Sequence, residues 1–377
     1  WEWRHAVSGR WRLRGAIDGY ERPNFDGSVD ARERVQFEAL WDRRFGTTVD
    51  ATAGVAYETT RPDFTSGTVV QLTEENRRAE LSSAFVQGRW GPLDDRLIVT
   101  AGVKYEHHTD ADGVWQPSLK LAGQLTEQQV LWASWTRAVR RPSAFEIDAI
   151  IWDETRPAGM VDLILRLRGN ADAATEALSA YEAGWRWRPT ETIDIDLAAF
   201  YFDYDDLVSI ELPDPADAPF EPPNDLIIDA ELSNRAEATY WGAECAAVLR
   251  PRPAWELRAA VSGIETETTT PAGVRRLFNF QKVPEWKLDL RSMHEIGRRW
   301  RLDLQAAWLE GFGSGAIAVE DQLRLQLFVT YQHDHLWDAG LSLEHLADAA
   351  TVEAKNDFFT QSTAVERSVF LWWRARF

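Results

Sequence analysis

Residues 131–146 read LWASWTRAVRRPSAFE, and their first half sets the fold class. Leu131, Ala133, Trp135 and Arg137 alternate with Trp132, Ser134, Thr136 and Ala138. A period of two specifies a strand, because successive side chains of an extended chain point to opposite faces. Arg141-Pro142 ends it, since proline has no N–H for a sheet ladder and restricts the residue before it. At 168–185, RGNADAATEALSAYEAGW, alternation resumes from Tyr181. The connection between, 139–177, is far longer than a hairpin needs, and connections of that length are functional or unstructured.

The same alternation continues in both directions. It marks strands over 9–21, 31–45, 48–59, 79–90, 96–107, 114–124, 128–138 and 178–188, then 192–204, 237–250, 254–264, 284–296, 299–309, 322–333, 336–346 and 366–377. These are about sixteen strands, each near the ~9–11 residues that cross a bilayer. Residues 1–8 read as the end of a preceding strand or a frayed terminus. Short links at 45–48, 91–96, 125–128, 189–192, 251–254, 297–299 and 334–335 alternate with longer ones near 22–30, 60–78, 108–113, 139–177, 205–236, 265–283, 310–321 and 347–365. A membrane barrel keeps its short turns on one rim and its long loops on the other, whereas a sandwich or propeller has no reason for such parity.

The faces agree. Leu302, Leu304, Ala306 and Trp308 oppose Arg301, Asp303 and Gln305, and Leu323, Leu325, Leu327 and Val329 oppose Arg324 and Gln326. Trp286, Leu288 and Leu290 oppose Lys287, Asp289 and Arg291. Lipid outside and a wet lumen inside explain that pattern, although a half-buried soluble sheet would also alternate. Among 377 residues, 19 are Trp, 17 Phe and 8 Tyr, enough for aromatic girdles at two membrane interfaces or for the core of a soluble β-protein. No segment approaches the ~20 unbroken apolar residues of a membrane helix, which says nothing against a barrel. A net charge of −19 argues against nucleic acid as a partner, and the one cysteine, Cys245, excludes an internal disulfide framework. The chain opens on Trp1 without a signal segment, as a mature or truncated exported sequence would.

The order and spacing of several motifs resemble the TonB-dependent outer-membrane receptors. The residues are Arg140, Pro142, Ser143 and Glu146, then Gly169, Asn170 and Glu176, then Tyr181, Glu182 and Gly184; Ala171 and Thr175 stand where that family usually has proline. Ile195–Ser209 and the final aromatic strand extend the likeness over nearly the whole chain. The resemblance implies an all-β, antiparallel transmembrane β-barrel with short periplasmic turns and long external loops. It implies a larger barrel with a plug, and nothing here resembles that plug, so 1–377 is expected to be a partial, carboxy-terminal barrel domain. It also implies the bacterial outer membrane and its lipid as surroundings. The function implied is active uptake of a scarce metal chelate, such as a ferric siderophore or cobalamin, energised by the TonB complex acting through a plug. In such proteins a last strand with Val369, Leu371, Trp373 and Phe377 on one face resembles the signal read by the barrel-assembly machinery.

Catalysis has no motif here: there is no Gly-x-Ser-x-Gly elbow and no His-Glu-x-x-His pair, and no cofactor is expected. His107 and His108 beside Asp110 and Asp112 could ligate a metal, but scattered loop residues of these types are commonly just solvated. Asp203, Asp205 and Asp206 lack the glycine turn and distal Glu of a calcium loop. Ligand recognition belongs to the long loops. Arg140, Arg141, Trp152, Arg156, Arg166 and Arg168 fall in or beside the longest, and Arg275, Arg276 and Lys282 form a second patch; arginine's planar fork suits anionic chelates, or these arginines balance neighbouring acids. Haem receptors of the resembled family typically place a histidine between the Arg140–Ser143 motif and the Asn170 loop. None lies between Ala138 and Leu178, so the resemblance disfavours haem, and one Cys with two Met disfavours capture of soft metals. A passive porin-like channel and a soluble β-rich binding protein are the rival functions.

Overall fold

The computed structural model describes residues 2–5, 9–152, 156–158, 161–212, 220–221, 225–276, 283–313, 318–333, 336–347, 350–354 and 363–375. Its wall comprises β1 (Glu2–His5), β2 (Gly9–Pro23), β3 (Val29–Phe45), β4 (Val49–Thr65), β5 (Ala79–Trp90) and β6 (Leu97–His108). It continues through β7 (Ala111–Thr126), β8 (Gln129–Arg140), β9 (Glu176–Thr190), β10 (Ile193–Glu211), β11 (Asp225–Arg252) and β12 (Trp255–Thr269). β13 (Trp286–Ile296), β14 (Trp300–Leu309), β15 (Gln322–His333), β16 (Trp337–Glu344) and β17 (Ser368–Ala375) complete it. Each strand pairs antiparallel with the next in the chain, the topology of an up-and-down barrel wall. Among the described residues no ladder joins β17 to β1. Every strand expected from alternation is present.

The pleat sorts the side chains. Leu288, Leu290, Leu304, Leu323 and Leu371 stand exposed on the apolar face. Near the long connections that face ends in a belt where Tyr181, Tyr201 and Trp241 lie in register across β9–β11, with Trp115 and Trp286 to either side. Near the short turns Trp11 pairs in register with Trp41, and Trp300 with Tyr331. The opposite face carries ion pairs and polar bonds: Arg186–Asp196 at 2.8 Å, Gln305 to Asp289 at 3.0 Å, Arg291–Asp303 and Arg374–Asp338. No helix among the described residues is long and apolar enough to cross a membrane.

The length alternation has two exceptions. The connection expected over 22–30 keeps only 24–28, no longer than the short link at 91–96. The connection expected over 108–113 is only Thr109 and Asp110, because β6 and β7 run on past the belt with a bulge near Glu106. Thr109 is anchored to β5 through its N–H to the Glu80 carbonyl at 3.0 Å.

The other long connections are less irregular than their sequences imply. The segment expected as loop over 205–236 is strand at both ends, since β10 reaches Glu211 and β11 starts at Asp225. Register shifts around Leu207, with Asp206 at φ 55°, re-aim the end of β10. Leu207, Val208, Ile227, Ala230, Leu232, Ala236 and Ala238 are buried here, and Tyr204 and Tyr240 pack against Leu207, Ala236 and Ala238. Ser209 and Ser233 satisfy each other inside this core at 2.8 Å. A strand covered on both faces loses its alternation, so the period-two pattern stops where this outer head begins.

Candidate ligand-binding site at the outer rim

The longest connection is folded. Ser143 caps a one-turn helix, α1 (Ala144–Asp148), in a capping box: the Ser143 N–H donates to the Glu146 carboxylate at 2.6 Å, and the Glu146 N–H to the Ser143 hydroxyl at 3.3 Å. Segments Ala149–Trp152 and Val161–Arg168 pair with each other. The first also pairs with Val70–Leu72 of the preceding long connection, and the second runs parallel to Asp225–Glu231 of β11.

Arg140 is the latch. Its guanidinium donates to Glu146 at 2.7 and 3.0 Å and to Glu176 at 2.5 Å, and Glu176 also accepts the Val208 N–H at 2.8 Å. One cation therefore joins the end of β8, α1, the start of β9 and the bulged part of β10. Burial would raise the Glu146 carboxyl, but the bonds from Arg140 and Ser143 outweigh it and hold the group below its ordinary value. Gly169 and Asn170 close the same latch through N–H bonds to the carbonyls of Ala149 and Glu146, at 2.7 and 2.8 Å. A Cβ at Gly169 would lie 2.5 Å from the Asp148 nitrogen, so only glycine permits this approach.

Arg166 lies 5.1 Å over the Trp152 ring and pairs with Asp229, whose carboxyl that bond lowers. The Trp152 indole N–H reaches Gln71 at 3.5 Å. Arg168 is exposed, in register with Ile150 and Glu231. The backbone of Arg156 lies on Arg156–Ala158, and Val274–Arg276 pairs with Ser209–Glu211 of β10; the side chains of Arg156, Arg275 and Arg276, and the whole of Lys282, lie outside the described set. Val369, Leu371 and Trp373 share the apolar face of β17, and Phe377 lies outside the described residues.

Asp26 is a second anchor. Its carboxylate accepts from the Ser28 hydroxyl at 2.7 Å and from the N–H groups of Ser28, Val70 and Val69 at 3.1, 2.9 and 3.3 Å. Its small burial works the other way, but these bonds bring the group down to about 2. A carboxyl that titrates lower when folded contributes fully above its unfolded value, and the contribution is lost as pH falls through about 2. Hydrogen exchange at Val69 and Val70 is expected to quicken as pH drops from about 4 toward 2, after correction for the intrinsic rate. Asp26→Ala should cause the same release at neutral pH, and unchanged protection there would refute the anchor.

Beneath the head, on the polar face of the wall, lies a cavity of about 510 Å³. Glu58, Thr60, Glu106, His108, Arg140 and Arg141 line it. Of the arginines singled out in the sequence, the structure brings Arg140 and Arg141 to this cavity. Glu58 and Glu106 escaped sequence reasoning. Alternation puts both on the polar face at the outer ends of their strands, but nothing local shows that Arg141, past the end of β8, turns toward them. A larger apolar trough of about 1050 Å³ borders the wall around Ala183, Ala199, Trp241 and Trp286, mostly side chains of the apolar face.

An antiparallel wall with one apolar and one ionic face, aromatic belts and a folded outer head defines a large membrane β-barrel. The family model described as TonB dependent receptor-like, beta-barrel matches residues 1–356, and the chain belongs to that family. No curated protein matches it by sequence. The siderophore receptor PirA from Acinetobacter baumannii superposes with a TM-score of 0.75 at 14% identity, over 98% of this chain and 60% of that one. A variant of the ferric enterobactin receptor PfeA from Pseudomonas aeruginosa gives 0.73 at 14%, over 97% and 59%. The FrpB iron transporter from Neisseria meningitidis gives 0.71 at 12%, over 97% and 61%. This chain thus spans about 60% of the length of such receptors.

Proposed function

We propose that this chain is the carboxy-terminal barrel portion of an outer-membrane receptor that takes up a metal chelate, with a ferric siderophore first and cobalamin second among the ligands. Its outer head receives the chelate, and passage through the lumen is driven by the TonB complex acting through a plug contributed from outside residues 1–377. Lipid contacts the apolar face, and the aromatic face of β17 is the element that the barrel-assembly machinery engages. The observation that carries this reading is the cavity with Arg140 and Arg141 where the folded head meets the lumen face, in a chain whose family is that of TonB-dependent receptors. The names of the structural relatives, siderophore receptors and an iron transporter, point the same way.

Cells expressing the full-length protein as their sole candidate receptor should accumulate ⁵⁵Fe from a ferric chelate, and should stop when the proton gradient is collapsed. Accumulation that persists without the gradient, together with steady conductance in planar bilayers, would replace this reading with a passive channel.

A further inference from the structure

We propose that the cavity beneath the head binds an amphoteric arm of the ligand, one pairing a carboxylate or hydroxamate with an ammonium. This rests on the receptor reading above and adds the chemistry of the group recognised.

The charges argue for it. Arg140 is already committed to Glu146 and Glu176. Arg141 is half-buried, and among the described residues no carboxylate pairs with it. Its planar fork therefore faces the cavity with donors to spare for a pair of anionic oxygens. His108 stands beside it as a neutral donor. The Asp110 N–H donates to His108 Nδ1 at 3.2 Å, which leaves the ring proton on Nε2. Burial first, and Arg141 second, hold this ring below its ordinary value; it lies beyond the outer aromatic belt.

Two acids complete the lining. Glu58 accepts from Gln36 at 2.5 Å through one oxygen, and its other oxygen has no partner among the described residues. Glu106, almost fully buried, meets Lys104 at 3.4 Å and Gln116. Around the cavity Arg140 and Arg141, with Lys104 beside Glu106, face Glu58 and Glu106, with Glu146 and Glu176 behind, so four carboxylates meet three cations. A polyanionic catecholate chelate would have to sit against those carboxylates. An arm that offers anionic oxygens to Arg141 and His108, and an ammonium to Glu58, satisfies both signs at once. At about 510 Å³ the cavity takes such an arm while the metal centre stays in the head.

Tryptophan-quenching titrations of the full-length protein would use three probes. These are a ferric polycarboxylate chelate ending in a free α-amino acid group, the same chelate N-acetylated, and a ferric tris-catecholate. The free amine should bind about tenfold tighter than the acetylated form, the scale of one charge-assisted bond. Glu58→Gln should bring that ratio close to one, and Arg141→Gln should weaken both polycarboxylates about tenfold or more. Unchanged heat-modifiable mobility would show that each variant folds.

Equal binding of free and acetylated probes overturns the proposal. So does tight binding of the tris-catecholate that neither substitution alters, although the receptor reading then stands. If Arg141→Gln lowers thermal stability yet shifts no affinity, the cavity is an internal docking site and the proposal fails. If no probe binds and cells accumulate no iron from any of them, the receptor reading falls as well.

Discussion

Arg140→Ala should unlatch the outer head while leaving the membrane wall folded. The substitution removes the one cation shared by Glu146 and Glu176, whose side chains are only 10% and 11% exposed. Two carboxylates would then remain near each other without their partner. Breaking a buried pair costs about 3–5 kcal/mol and an exposed one under about 1 kcal/mol. Arg140 itself is 47% exposed, so water softens the loss and about 2 kcal/mol is the expected figure. That is enough to open a region held by a few such contacts. Hydrogen exchange should rise over α1 and the start of β9, and a protease should cut within 143–175, while heat-modifiable mobility persists. Arg140→Ala combined with Glu146→Gln and Glu176→Gln should regain part of the protection, because no unpaired charge is left behind. If the single variant keeps wild-type protection, the latch is not what holds the head.

The same latch shows where sequence reading reaches and where it stops. The wall was legible because each membrane-facing strand has one environment per face, so Leu302 to Trp308 alternate with Arg301 to Gln305 without interruption. The motif residues Arg140, Ser143, Glu146, Gly169, Asn170 and Glu176 were legible as a set, but their spacing gave no role. Long-range hydrogen bonds show that they build one structure, with Arg140 reaching Glu176 across 36 positions. The arginines of the long connection drew attention as ligand contacts. A guanidinium's commitments depend on partners distant in the chain, as Arg166 and Asp229 do across 63 positions. The outer head was hidden for a different reason. Leu207-Val208-Ser209 is buried on every side, and a strand covered on both faces carries no period of two. The cavity needed both kinds of information: alternation places Glu58 and Glu106, and only the fold places Arg141 against them.

Leu304→Arg and Gln305→Arg are neighbours in β14 and should have opposite fates. Leu304 lies midway along the strand on the apolar face, 43% exposed, in register with Ser292 and Leu327. Its cross-strand neighbours Ser292 and Leu327 carry no charge to neutralise a guanidinium, and lipid cannot hydrate it. Arginine at the midplane of a barrel's lipid face costs about 2–4 kcal/mol. Gln305 points the other way, with its amide 3.0 Å from the Asp289 carboxylate. An arginine there would keep that contact as an ion pair in a wet lumen, with an effect within about 0.5 kcal/mol. Urea titrations of the full-length protein in lipid vesicles should separate the two by about 2 kcal/mol or more. A one-residue shift in register exchanges the faces of a whole strand, so the comparison tests the orientation of the wall as well as its environment. Equal costs would mean that both faces meet water, and the wall would then belong to a soluble sheet. A larger cost at Gln305 would mean that β14 is inverted, with Arg301, Asp303 and their partners facing lipid.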